Sequence, residues 1–223
     1  MLLFMPHFRQ QCNFGACSTS VCCNILGIIW EGVVKEAVVT LDIMNDICHP
    51  EGKSARYADR IAERGVIEKI NQVVAWGRKR GHLIVHVRVG FRGDYLDGSV
   101  RSPMFKGAKG KGALLLEEWG GQFCDALDVQ GGDVQVVKHR VSAFYGTDLD
   151  LVLRANDVKR VTLTGVGTNM AVELTAREAH DRDYEVQIVE DGTECGSDEE
   201  KAASVQVLSR LATWVTADEL GAH

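Results

Sequence analysis

The sequence predicts an α/β protein: a three-layer α-β-α sandwich around a central, mostly parallel six-stranded sheet. Two observations lead there. Short apolar runs of strand length alternate with amphipathic stretches of helix length through most of the chain. The 223 residues fit one well-buried domain plus an arm, and no internal repeat, linker or low-complexity segment interrupts the alternation. Strands that alternate with helices give a parallel sheet covered on both faces.

Residues 1–33 read as an N-terminal extension that packs on a neighbour, or as an upstream start that adds little function, ahead of a domain over 34–223. The stretch Val21 to Trp30 is apolar but too short to span a bilayer. A single Arg9 and no clear small-residue cleavage site argue against a secretory signal. Ala37–Asp42 is the first strand, and the stretch from about Arg56 to Lys79 is its helix, closed by Arg80-Gly81. His82–Val89 is the second strand. Gly90 to Gly112 is glycine-rich, charged and without a steady period, so it reads as a long loop of the kind that serves as a lid or binding segment. Val134–Lys138 is the third strand. Thr147-Asp148-Leu149-Asp150 has the pattern of a capping box and opens a helix to about Ala155. Val161–Gly165 is the fourth strand, Asn169 to about Arg182 its helix, and Tyr184–Val189 the fifth strand. A helix from about Ser197 to Leu211 and a strand at Thr213–Val215 complete the chain.

The formal net charge is -6, with Lys and Arg dispersed, so the sequence carries no electrostatic footprint for nucleic acid or an anionic membrane. Its expected partners are a small-molecule substrate and copies of itself, as a homo-oligomer. Four of the seven cysteines (Cys12, Cys17, Cys22, Cys23) fall in the first 23 residues, and none forms a C-x-x-C pair. An odd, uneven set argues against a disulfide framework and a zinc site, and for reduced thiols in the cytoplasm.

In open parallel sheets, ligands bind outside the carboxyl ends of the strands. Asp42, Lys138 and the strand-to-helix turn Gly165–Glu173 all fall there. A buried carboxylate and ammonium stabilise each other's charged forms, and both can act on a bound molecule; capping a strand or pairing with a helix end is the competing role for each. The amides that open the helix after the turn have no intrahelical partner, so they suit an anion. A cysteine at position 171 would have its pKa lowered by that helix terminus and by Lys138. The residue there is Ala171, which supplies only its amide.

At these positions the chain, from about Lys35 to Leu220, resembles the isochorismatase-like cysteine hydrolases, a superfamily of nicotinamidases, ureidoacrylate and carbamoylsarcosine amidohydrolases and isochorismatases. Leu41-Asp42-Ile43-Met44-Asn45-Asp46 is similar to its D-x-Q-N-D-F strand end, with Met44 in place of glutamine. The segment Lys138 to Leu149 is similar to K-x-x-x-S-A-F-x-x-T-D-L, the segment Gly165 to Arg177 to G-V-x-T-N-x-C-V-E-x-T-A-R, and Val189-Glu190-Asp191 to the next strand end. The resemblance implies Asp42 as general acid or base, Lys138 as its partner and position 171 as the nucleophile's place. It also implies a non-proline cis peptide within Val166-Gly167-Thr168, with the amides of Met170 and Ala171 aimed at an oxyanion.

The resemblance leaves three readings of Ala171. In the first, the chain is a hydrolase acting on a small polar molecule without a cysteine nucleophile, as in isochorismatases, where an aspartate protonates a vinyl ether and water adds. Leu114 to Gly120 resembles a run of those enzymes, while Gly167-Thr168-Asn169 lacks their aromatic side chain. In the second, it is a cysteine-dependent amidohydrolase of amide or ureide C–N bonds, carrying an inactivating change from cysteine to alanine at 171. In the third, it is a non-catalytic binding protein, against which the retention of Asp42 and Lys138 counts. Cys48 is either a displaced thiol or a small apolar filler.

No metal and no cofactor is expected. Nicotinamidases carry Asp-x-His and a further histidine where this chain reads His86 to Arg92, and His86 sits in an apolar strand. For substrate binding, Arg88, Arg92 and Tyr95 are candidates to hold a carboxylate or a planar polar group, Trp119 and Phe144 to form an apolar wall, and Gly167 and Thr168 to approach the ligand through the turn. Lid solvation is the alternative for the first group and core packing for the aromatic pair.

Overall fold

Strand β1 (Glu36–Leu41) is buried along its whole length, and a strand with no exposed face must be covered on both sides. It holds the middle of the sheet in a computed structural model that describes residues 35–222. The extension expected over 1–33 lies outside the described residues. β2 (Leu83–Val89) and β3 (Val134–Lys138) extend the sheet on one side; β4 (Arg160–Val166), β5 (Glu185–Glu194) and β6 (Thr213–Val215) extend it on the other, in the order β3-β2-β1-β4-β5-β6. Every neighbouring pair is parallel. The sheet is therefore wholly rather than mostly parallel.

Parallel neighbours need crossover connections, and the helices supply them. In chain order these are α1 (Asn45–Cys48), α2 (Ala58–Glu63), α3 (Val66–Lys79), α4 (Pro103–Lys111), α5 (Leu149–Ala155), α6 (Glu173–Asp181), α7 (Asp198–Leu208) and α8 (Ala217–Gly221). The two-residue period of β1 divides its side chains between two cores. Ala37, Val39 and Leu41 pack with Leu149, Leu153, Ala176 and Leu208, from α5, α6 and α7. Val38 packs with Ile61, Ile70, Val73 and Leu220, from α2, α3 and α8. Those are the three layers. No helix among the described residues is long and apolar enough to cross a membrane.

Four further departures from the sequence reading bear on the loops, the helices and β5. Gly65, at φ 59°, breaks the helix expected over Arg56–Lys79 into α2 and α3. The expected loop Gly90–Gly112 contains α4, and its apolar side chains form a separate cluster of Phe91, Tyr95, Phe105, Ala108 and Leu114 with Met44. β5 runs five residues beyond Val189, with a register shift against β4 between Leu163 and Gly165. No capping box forms at 147–150. Thr147 Oγ1 accepts from Leu149 N–H at 3.2 Å, while the Asp150 carboxylate accepts from Tyr184 Oη and Arg182.

Gly165 brings β4 against β1. Its φ is +125°, and a Cβ there would stand 2.1 Å from the Leu41 carbonyl oxygen, so a side chain meets both backbone strain and a backbone clash. Gly165→Ala is expected to lower the unfolding free energy in urea by about 3 kcal/mol or more. Gly131→Ala, where a Cβ meets nothing within 4 Å, should stay within about 0.5 kcal/mol of the parent.

Candidate active site

The strand order reverses direction on either side of β1, so the carboxyl ends of β1 and β4 flank the switch point at which open sheets bind ligands. A cavity of about 490 Å³ opens there, with Asp42, Lys138, Gly167, Met170 and Ala171 in its wall. These five come from three strand ends far apart in sequence.

Asp42 follows the last residue of β1 with φ 60°, a left-handed turn that aspartate tolerates. Lys138 closes β3, and β2 lies between them, with Val89 beside Lys138 in register. Strands sit about 4.8 Å apart, so the two backbones are separated by about 10 Å. The long lysine arm crosses that gap, and Nζ reaches Asp42 Oδ2 at 2.8 Å. Nζ also donates to the carbonyls of Val141 (2.8 Å) and Arg140 (3.3 Å), so all three ammonium hydrogens have an acceptor. Both side chains are almost wholly buried. Such a pair is tolerated inside a protein only with this degree of satisfaction. Asp42 Oδ1, by contrast, is buried with no hydrogen-bond partner among the described residues. Burial pushes the Asp42 carboxyl up from its ordinary value of 3.8, against the opposing pull of the Lys138 charge and hydrogen bond.

The turn after β4 carries a cis peptide between Val166 and Gly167. Gly167 faces Tyr57, whose hydroxyl would stand 3.1 Å from an added Cβ. A π-helical turn, Thr168–Val172, leads into α6 and replaces the helix start expected at Asn169. Ala171 is buried in the cavity wall. The Met170 N–H donates to the Gly167 carbonyl at 3.0 Å. Of the two amides expected to face an oxyanion, that of Met170 is therefore engaged within its own turn.

The remaining expected binding residues lie elsewhere. The guanidinium of Arg88 donates to Gly121 O and Gln122 Oε1 and covers the Phe123 ring, outside the cavity lining. Arg92 is exposed and paired with Asp94. Tyr95 is buried under α4, with its hydroxyl on Ala113 O at 2.6 Å. Trp119 is half-exposed and meets His49 edge-on. Phe144 stacks on Tyr184 in the main core. Thr168 is fully buried and absent from the cavity wall, whereas Gly167 is part of it. Strand parity, core packing and local pairing removed six of these residues; only the turn glycine reaches the cavity.

In their place, Arg56, Tyr57, Lys111 and Arg140 line the cavity, together with Met104 and Phe105 of α4. Arg140 carried a readable signal, two residues beyond a strand end. α4 carried little, because Gly107 and Gly110 lower helix propensity by about 1 kcal/mol each; its one cue is Pro103 in the first turn. Asp46, from the first motif, anchors the surrounding loops: its carboxylate accepts from Leu114 N–H (2.6 Å) and Lys53 N–H (2.9 Å).

Cys48 is buried outside the cavity lining, with Sγ 3.5 Å from Asp42 O. A hydrogen bond with Cys124 and burial push its thiol well up, which disfavours a thiolate. His86 shares hydrogen bonds with Thr40 Oγ1 (2.8 Å) and Asp133 Oδ2 (3.1 Å), as a core histidine with a satisfied ring. Among the described residues, no group of three or more His, Cys, Asp or Glu is arranged to hold a metal ion.

Residues 36–219 match the family model described as the isochorismatase domain. The chain is 30% identical over 185 residues, covering 82% of its own length and 93% of the other, to a protein of Escherichia coli O157:H7 named uncharacterized isochorismatase family protein YecD. It is 31% identical over 172 residues to the ureidoacrylate amidohydrolase RutB of Klebsiella pneumoniae subsp. pneumoniae, covering 71% of this chain and 73% of that one. Its fold superposes on the crystal structure of N-carbamoylsarcosine amidase from Thermoplasma acidophilum with a TM-score of 0.67 and 27% identity, over 82% of this chain and 97% of the other.

Removing Lys138 would leave Asp42 buried without its cation. Lys138→Met is expected to cost about 3–5 kcal/mol at neutral pH, measured by urea unfolding. Because the Asp42 pKa is raised on folding, its contribution to stability is complete below the unfolded-state value and is lost as pH rises through the folded value. Without Lys138 the folded value climbs further, so the deficit of the variant should shrink as pH is lowered.

Proposed function

Since the chain belongs to the isochorismatase family of hydrolases, we propose that it hydrolyses a small polar molecule by acid–base catalysis, without a covalent enzyme intermediate. The observation that carries this reading is Asp42 Oδ1. It is a buried carboxylate oxygen without a partner among the described residues, on a residue in the wall of a cavity where the described residues contribute no cysteine and no histidine.

Asp42 is the proton carrier. Its raised pKa keeps a fraction of the carboxyl protonated at a higher pH than a free aspartate would allow. In the neutral form it gives its proton to the substrate. Water then adds to the activated carbon and returns a proton to the carboxylate. Lys138 holds the carboxylate's other oxygen, so it fixes the rotamer and stabilises the anion left after transfer. The methyl group of Ala171 provides no attacking atom, which leaves that role to water.

A second reading is favoured by the position of residue 171, at the start of the helical turn and in the same cavity wall as Asp42 and Lys138. A thiol there would act on amide or ureide C–N bonds, with Asp42 taking its proton. The similarity to ureidoacrylate amidohydrolase and N-carbamoylsarcosine amidase supports it. In that case alanine stands where the active form carries cysteine.

Both forms, the present chain and Ala171→Cys, are to be assayed on isochorismate and on a panel of amides and ureides. The acid–base reading expects activity in the alanine form that falls about 10²–10⁴-fold in Asp42→Asn. Its rate should also decline as pH rises through the raised Asp42 pKa, because the proton-donating form is consumed. A silent alanine form and a large gain on an amide in Ala171→Cys would replace it with the second reading. Silence from both, with ligand still bound, would leave a binding protein.

A further inference from the structure

The charge of the cavity runs against that of the chain. The sequence carries a net charge of -6, yet the ionisable side chains in the cavity wall, apart from Tyr57, are Asp42, Lys138, Arg56, Lys111 and Arg140. Asp42 and Lys138 neutralise each other, which leaves three cations. Among the described residues none of the three has an ion-pair partner.

Arg140 is built for a ligand. Its Nη1 donates to the main-chain carbonyls of Asp97 (2.9 Å) and His139 (2.5 Å), and its guanidinium covers the Phe105 ring at 5.9 Å. One corner of the fork is thus fixed, while Nε and Nη2 have no partner among the described residues. The acid nearby does not take them: the Asp97 carboxylate accepts from Arg92 N–H, at 3.2 Å to each oxygen. A planar carboxylate fits the remaining edge in a bidentate arrangement.

Arg56 lies on the turn side, over the Tyr57 ring at 5.7 Å. The acid there, Glu200, is engaged through Oε2 by Asn169 Nδ2 (3.1 Å) and Gly196 N–H (3.2 Å). Lys111 ends α4 at the roof. Between these cations the wall is apolar, with Met104, Phe105 and Val141. Like charges in a low-dielectric cleft focus the field and concentrate anions.

We propose that the molecule acted on in this cavity is a small organic carboxylate with a compact apolar body, its anionic group gripped by Arg140 while Arg56 and Lys111 draw it in. This rests on the reading of the cavity as the reaction site. It separates this chain from a hydrolase of neutral amides.

The test is isothermal titration of the full chain with two matched pairs, benzoate with benzamide and N-carbamoylglycine with its primary amide, and with inorganic phosphate. Each carboxylate is expected to bind at least about 10-fold more tightly than its amide. Arg140→Gln should weaken the carboxylates by about 10–100-fold and leave the amides within about 2-fold, and Arg140→Lys should recover part of the loss. Arg56→Gln, on an exposed side chain that the fold does not need, should reduce the same preference by a smaller factor, and added salt should erode it. Amides that bind as tightly as the carboxylates, carboxylates that fail to bind at up to about 10 mM, or phosphate that outbinds every carboxylate would each overturn the proposal. If the preference for anions fails while amide binding still changes in Asp42→Asn, the reaction site stands and only the anion inference falls. If no ligand's binding responds to Asp42→Asn, the reading of the site falls with it.

Discussion

The ion pair between Lys138 and Asp42 is the constraint around which the functional end of the sheet is organised. It joins the first and third strands over the top of the second, at 2.8 Å and almost fully out of water. Two charges placed there are tolerable only because the ammonium finds two further carbonyls, from Arg140 and Val141. Those carbonyls belong to the chain leaving β3. The path of that chain, and with it the placement of the Arg140 side chain, is therefore fixed by the same ammonium that holds the carboxylate.

On the other side of β1, backbone geometry sets the approach. Gly165 allows β4 to pass close to the Leu41 carbonyl, and the turn that follows brings Gly167 against Tyr57 and Ala171 into the cavity wall. Asp42 thus stands between a lysine from one side and a turn from the other. The carboxylate oxygen without a partner among the described residues is the one the lysine does not hold. A floor of this kind supports proton transfer whether the attacking group is water or a thiol, which is why one residue, Ala171, divides the two readings of the chemistry.

Much of this floor was legible in the sequence because parallel strands put their functional residues at their carboxyl ends, and apolar runs reveal where strands end. Asp42, Lys138 and the turn at 165–171 followed from that rule alone. The walls were not legible in the same way. Arg88 is one residue past Val87, and strand alternation turns it toward Phe123 and away from the cavity. Phe144 has the character of a pocket aromatic but finds Tyr184 in the core. Lys111 comes from a segment without a steady period, and Arg56 stands at the edge of the stretch read as a helix, just ahead of the observed start of α2 at Ala58. α4 was hidden by its own glycines, whose low propensity is offset by the burial of Phe105 and Ala108.

The cluster under α4 shares no buried residue with the two cores that sandwich the sheet. It meets the floor through Met44 and Val89, and its main chain is anchored by Asp46, which holds Leu114 and Lys53 and would clash with any side chain at Gly120. Main-chain anchorage is indifferent to the identity of the anchored side chains. Side-chain changes at Leu114 and Lys53 accordingly leave that anchorage in place, whereas Met44 and Val89 carry any repacking of the roof directly to the strand ends beside Asp42 and Lys138.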